Sequence, residues 1–210
     1  LEFARAAEDY ARSKPPSNEQ TVAIATAYWL QAEALTRLNQ AIKADPIIQR
    51  ALGLISEEGL ETKLGADLIL ARGRTARILN DYGLALASFH QAHDIYAKLG
   101  VSRSQAISLQ NIGSIYNDAK DYERVLNFYG RASKTHPDDT ALDLASYNNR
   151  ANALRELGRH TESIEFYQEA LQIAENIESN ILKSRILSNI AETQISAGDY
   201  IQALNTSNES

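Results

Sequence analysis

The segment Ala106–Asp139 reads AISLQNIGSIYNDAKDYERVLNFYGRASKTHPDD, and its spacing decides the fold. Gly113 is small where two helices of one hairpin must approach closely, and Tyr116, three residues on, lies over the same helical face. Asp121-Tyr122 follows a short turn and opens a second helix, whose first ring is expected to pack back on the helix before it. Val125, Tyr129 and Ala132 then stand at i, i+4 and i+7, the apolar stripe of an amphipathic helix. Pro137 closes that helix, because proline cannot continue it. A hairpin of this kind cannot bury its apolar face alone, so it needs neighbours of its own type.

The neighbours are in the sequence. Tyr82, Tyr122, His160 and Tyr200 are separated by 40, 38 and 40 residues. The same offsets align Ala85 with Val125, Ser163 and Ala203, and Phe89 with Tyr129 and Tyr167. They also align Ala92 with Ala132 and Ala170, and Gly73 with Gly113, Ala151 and Ala191. A large ring, a small residue and a second ring recurring in step describe stacked helical hairpins.

Composition agrees with an all-α, water-exposed repeat array. Apolar residues are 44% and charged residues 23% of the 210 positions, values of a folded chain. Gly 10 and Pro 4 are too few for a sheet protein rich in tight turns. No stretch approaches the roughly 20 consecutive apolar residues of a membrane span, so no membrane contact is expected from this chain. The net charge of −6 argues against nucleic acid as a partner. Without cysteine there is no disulfide framework, thiolate metal site or cysteine nucleophile. That suits a cytoplasmic or a periplasmic address equally.

Ala106–Asp139 resembles a tetratricopeptide repeat. Leu109, Gly113, Tyr116, Tyr122, Tyr129, Ala132 and Pro137 match the signature columns of that family at its internal spacing. Ala66–Leu99 and Leu144–Asn176 resemble two more copies, and Ser184–Asn205 a fourth that is incomplete. Arg150 in an apolar column, His160 in place of a ring, and Val125 and Ser163 in place of alanine depart from the pattern. The resemblance implies a right-handed α-solenoid of about five antiparallel hairpins, with repeats starting near residues 66, 106, 144 and 184. Its 38 to 40 residue period is similar to that of repeats in bacterial signalling proteins, including sensor regions of diguanylate cyclases and histidine kinases.

Residues 1–65 are less regular and are read as degenerate hairpins of one continuous domain. A helix is expected over Glu2–Arg12, stopped by Lys14-Pro15-Pro16. Ser17 with Gln20 forms a capping box that opens a helix running to about Lys43. Asp45-Pro46 is read as a cap and first-turn proline opening another helix to about Lys63. Leu1 is not an initiator methionine, and the run Asn205–Ser210 is expected to stop the last helix early. The protein is therefore expected to continue past both ends, or the array to pair end to end.

Few residues suggest chemistry. His90 and His93 share a helical face, but no third metal ligand accompanies them, so solvated or inter-repeat histidines are the simpler reading. Trp29 is read as core rather than ligand platform. Asn205-Thr206-Ser207 and Asn208-Glu209-Ser210 match the glycosylation pattern only by short coincidence. No catalytic motif occurs, and neither a cofactor nor a metal is expected.

One constellation stands out. Asn111, Asn149 and Asn189 occupy one column of three consecutive first helices, although asparagine is a poor helix-interior residue. The family resemblance implies that this column faces the concave groove. Ser114 and Asn152, then Asn117 and Arg155, follow on the same face, and Arg74 and Arg77 continue it into the preceding repeat. An amide can meet both the N–H and the C=O of an extended peptide. The competing reading has these asparagines bond to adjacent helices and hold the array together. The expected function is a non-catalytic protein- or peptide-binding module, with an acidic rather than basic ligand given Arg74, Arg77 and Arg155. The alternatives are the sensory input region of a larger bacterial signalling protein, or an assembly scaffold.

Overall fold

The computed structural model describes residues 1–208; no strand occurs among them, and no helix is long and apolar enough to cross a membrane. The chain divides into two compact units, Leu1–Asn111 and Ile112–Ser210. The first contains α1 (Glu2–Arg12), α2 (Asn18–Arg37), α3 (Ala41–Leu54), a short α4 (Glu57–Leu60), α5 (Lys63–Ile78) and α6 (Tyr82–Lys98). Helix α7 (Ser102–Asp118) contributes to both units. The second contains α8 (Tyr122–Thr135), α9 (Thr140–Glu156), α10 (His160–Asn176), α11 (Asn180–Ala197) and α12 (Tyr200–Asn208). Within each unit, helices adjacent in sequence pack on one another: α1 on α2, α2 on α3 and α5 on α6, then α8 on α9, α9 on α10, α10 on α11 and α11 on α12.

Sequence explains where these helices begin and end. Side-chain oxygens of Ser17, Thr62, Asp81, Asp121, Asp139 and Ser179 accept backbone N–H groups of the first turns of α2, α5, α6, α8, α9 and α11. The Ser17 cap is one-sided: the Gln20 amide donates to the Lys14 carbonyl instead of back to Ser17. At the C-termini a left-handed residue recurs: Asn39, Asn80, Lys120, Gly158 and Gly198 between the two helices of a hairpin. In each case the next N–H reaches back five residues, as Gln40 N–H to Leu35 O and Asp81 N–H to Ala76 O, which closes a Schellman turn.

These turns correct the reading of the N-terminal region. The helix expected to run to Lys43 ends at Arg37, because Asn39 turns left-handed (φ 56°) and a new helix begins at Ala41. Pro46 lies inside α3 rather than opening a helix. It removes only the donor to the Ile42 carbonyl, and Ile42 is exposed, so water can serve that oxygen. Asn39 precedes Asn80 by 41 residues, and the same offset maps Ala32, Ala44, Ile48 and Ala51 onto Gly73, Ala85, Phe89 and Ala92. All eight are buried. The hairpin α2–α3 thus buries the same columns as α5–α6. At the other end, the polar run does not stop α12, which continues through Asn208. The pattern Asn208-Glu209-Ser210 lies partly outside the described residues.

The core of each hairpin is a ring against a small residue. Phe89 fills the space left by Gly73, Tyr129 that left by Gly113, and Tyr167 is buried in one cluster with Ala151, Ala170 and Ile186. The turn-side column behaves differently from expectation. Tyr82 and Tyr200 are exposed, and Tyr122 is half-buried with its hydroxyl directed to Glu156 (3.4 Å). Tyr82 and Tyr200 lie open at the turn end of their hairpins, while Tyr122 packs part of its ring on the cluster of Val125, Tyr129 and Ala153. Tyr122→Ala should accordingly cost only about 1–2 kcal/mol, as for a side chain that loses part of its burial, and urea denaturation would measure it. Trp29 packs between the two apolar clusters of α2, α3 and α5, as a core residue does.

Candidate functional site

The polar stripe on the first helices begins in the first unit. There Arg74 and Arg77 on α5, Asn111 on α7, and Glu33, Thr36 and Arg37 on α2 line one cleft of about 390 Å³. The structure therefore brings together three residues that lie up to 37 positions apart in the sequence, Arg74, Arg77 and Asn111. It adds Glu33, which stands 41 residues before Arg74 in the repeat column and is masked in the sequence by the irregular look of the N-terminal region. Arg74 Nη1 donates to both Glu33 carboxylate oxygens at 3.1 and 3.2 Å, and Arg37 Nε lies 3.9 Å from the same group. Thr36 and Thr75 hydroxyls meet at 3.2 Å and tie α2 to α5 beneath this cleft.

In the second unit the stripe divides between holding rings and bridging helices. Ser114 Oγ bonds the Tyr129 hydroxyl (2.9 Å), and Asn152 Oδ1 accepts the Tyr167 hydroxyl (2.6 Å). These two residues, in the same column of successive repeats, hold the buried ring of their own hairpin. Burial pushes the Tyr167 hydroxyl up to about 12, so it stays a donor. Arg155 Nη1 reaches Glu192 at 2.8 Å, bridging α9 and α11. Asn117 is exposed.

The asparagine column divides in the same way. Asn111 Nδ2 donates to the Ile107 carbonyl (2.7 Å) and Asn149 Nδ2 to the Ala145 carbonyl (2.8 Å), each one turn back on its own helix. Such back-bonding holds the amide in one orientation and leaves Oδ1 as the acceptor. Asn189 Nδ2 instead donates across to Asn148 Oδ1 at 3.3 Å, linking α11 to α9. The two histidines do not act as a pair, since His93 engages Asp94 through Nδ1 (2.9 Å) and Gln105 through Nε2 (3.2 Å). Among the described residues no group of three His, Asp or Glu could hold a metal ion.

Known proteins share this architecture. Residues 142–210 match the family model for the tetratricopeptide repeat. No curated protein matches the chain in sequence. Among solved structures, BtubC (BKLC) from P. vanneervenii superposes with a TM-score of 0.83 at 18% identity, over 99% of this chain and 87% of its own. A signal transduction ATPase with a tetratricopeptide repeat sensor from Pyrococcus horikoshii superposes with a TM-score of 0.81 at 17% identity. That match covers 98% of this chain and 32% of the ATPase. A Rap protein complexed with competence and sporulation factor gives 0.72 at 15% identity, over 98% and 56% of the two chains. By fold the chain is a tetratricopeptide-like array of helical hairpins, and over residues 142–210 it carries the sequence signature of that family.

Proposed function

We propose that the chain is a non-catalytic binding module that accepts a protein segment or peptide along the faces of its first helices. The observation that carries this reading is the cleft on which α2, α5 and α7 present Glu33, Arg37, Arg74, Arg77 and Asn111 together. Three guanidinium groups face it against one carboxylate, so the ligand end seated there is acidic. The asparagine amides of Asn111 and Asn149, held by their own helices, offer Oδ1 to ligand N–H groups. The structural likeness to a Rap protein complexed with a factor supports the same use of the fold.

A second reading, the sensory region of a larger signalling protein, is supported by the likeness to an ATPase that carries a tetratricopeptide repeat sensor. Sequence of the flanking gene would test it: a kinase, cyclase or ATPase signature in the same reading frame supports it, and an unrelated neighbour removes it.

The binding reading is tested by selecting peptides from a displayed library on the parent chain, then measuring the variants. Removal of Asn111, Asn149 or Asn189 leaves ligand groups unpaired, and each change to alanine should weaken the selected peptide by about 1–3 kcal/mol. Thermal stability of the triple variant should fall only slightly, since the helix propensity that alanine restores offsets much of the loss of the Asn189–Asn148 bond. Undiminished binding by the triple variant would return all three residues to holding the helices.

A further inference from the structure

Arg150 is the residue that the fold explains least. It occupies a repeat column shared with Arg72, Ile112 and Ile190, and it is half-buried in α9. Arg72 solves the burial of its charge with neutral acceptors: Nε donates to Ser88 Oγ (3.1 Å) and Nη2 to Gln91 Oε1 (3.3 Å). At the position equivalent to Ser88, the second unit has Phe166, which accepts no such bond. The Arg150 guanidinium lies over that ring, 4.0 Å from its centroid, and its buried Nε has no partner. Gly130, in the middle of α8, borders it: a Cβ there would sit in ordinary contact, 3.9 Å from Arg150 Cζ. Burial holds the guanidinium below its usual range, as it does for Arg72.

Two more cations share its cleft. Arg131 and Lys134 are one turn apart on α8 and, with Arg150, Asn127 and Gly130, line a cavity of about 500 Å³. Arg131 stacks over Phe128 at 5.1 Å, which restrains its fork. None of the three cations forms an ion pair with a carboxylate among the described residues, in a chain whose net charge is −6. A planar guanidinium held against a ring, a second fork and an ammonium group make a set of donors that outnumbers the two oxygens of one carboxylate. A tetrahedral dianion with three terminal oxygens suits it better.

We propose that Arg131, Lys134 and Arg150 form a binding site for a phosphate monoester dianion, separate from the cleft of Arg74 and Asn111. The dianion can belong to a phosphorylated side chain of a protein segment or to a free phosphate. Titration of the 210-residue chain with inorganic phosphate, with a phosphoserine peptide and with its unphosphorylated twin, at matched ionic strength, tests the site. The signal to follow is the Nε–H resonance of Arg150 with the amides of Gly130 to Lys134. Both phosphate probes should move these resonances, and Arg150→Gln should weaken the tighter probe at least tenfold, about 1.4 kcal/mol. Tighter binding of the phosphopeptide identifies a modified protein segment as the source, and parity with inorganic phosphate identifies a free anion. Should Arg150→Gln fail to fold, Arg131→Gln and Lys134→Gln, both at exposed positions, carry the test and should each weaken binding several-fold. Equal shifts with chloride, or phosphate affinity unchanged in these variants, overturn the proposal. The triple asparagine variant should bind phosphate as the parent does.

Discussion

Replacement of Tyr167 with alanine is expected to lower stability by about 3–5 kcal/mol, among the largest effects of any single change in the second unit. The ring is fully buried, in a cluster with Ala151, Ala170, Ala174, Ile186, Leu187 and Ile190 from α9, α10 and α11. Truncation would leave a cavity where three helices meet, and helices cannot close in on it without breaking the register of the next hairpin. Tyr167→Phe separates packing from polarity. It removes only the hydroxyl that donates to Asn152 Oδ1, and Asn152 is open enough for water to replace it. The expected cost is about 0.5–1.5 kcal/mol. The natural Phe89 at the equivalent place in the first unit, where Arg74 stands in for Asn152, shows that the hairpin accepts a ring without a hydroxyl. Urea melts of both variants would measure the difference. A loss under about 1 kcal/mol for Tyr167→Ala would mean that this ring is not the core of its hairpin.

Two glycines of the second unit should respond to alanine with opposite signs. At Gly113 an added Cβ would stand 2.7 and 2.8 Å from ring carbons of Tyr129, which is itself buried and cannot swing away. Overpacking of this kind should cost about 1–3 kcal/mol, even against the roughly 1 kcal/mol that alanine gains over glycine in a helix. At Gly130 the only neighbour of an added Cβ is Arg150 Cζ at 3.9 Å, an ordinary contact. There the propensity gain should prevail, raising stability by about 0.5–1 kcal/mol. The midpoints of chemical denaturation for the two variants should therefore fall on either side of the parent. A Gly113→Ala protein as stable as the parent would contradict the close approach of α7 and α8 at this point.

How much of this could be read without coordinates follows from the range of each interaction. The hairpins were legible because each repeat packs mainly on its sequence neighbours, so small residues such as Gly113 and Ala151 and rings such as Tyr129 and Tyr167 recur at one period. The helix starts at Ser17 and Asp121 were equally local, as a cap needs only its own first turn. The hairpin α2–α3 was also written in the chain, in the 41-residue offset of Asn39, Ala44 and Ile48. The left-handed residue of its turn is asparagine, which carries no glycine signature, and Pro46 suggested a boundary that is not there. Tertiary structure alone decided three matters. It separated the rings of one repeat into buried (Phe89, Tyr129, Tyr167) and open (Tyr82, Tyr200), because hydropathy is the same at both ends of a hairpin while coverage is not. It committed Arg74 to Glu33, 41 residues away, and Asn152 to Tyr167, so polar residues sharing a face hold different partners. It also left Arg150 against Phe166 with its Nε unpaired, since a long side chain's partner depends on which groups of the neighbouring helices come within its reach.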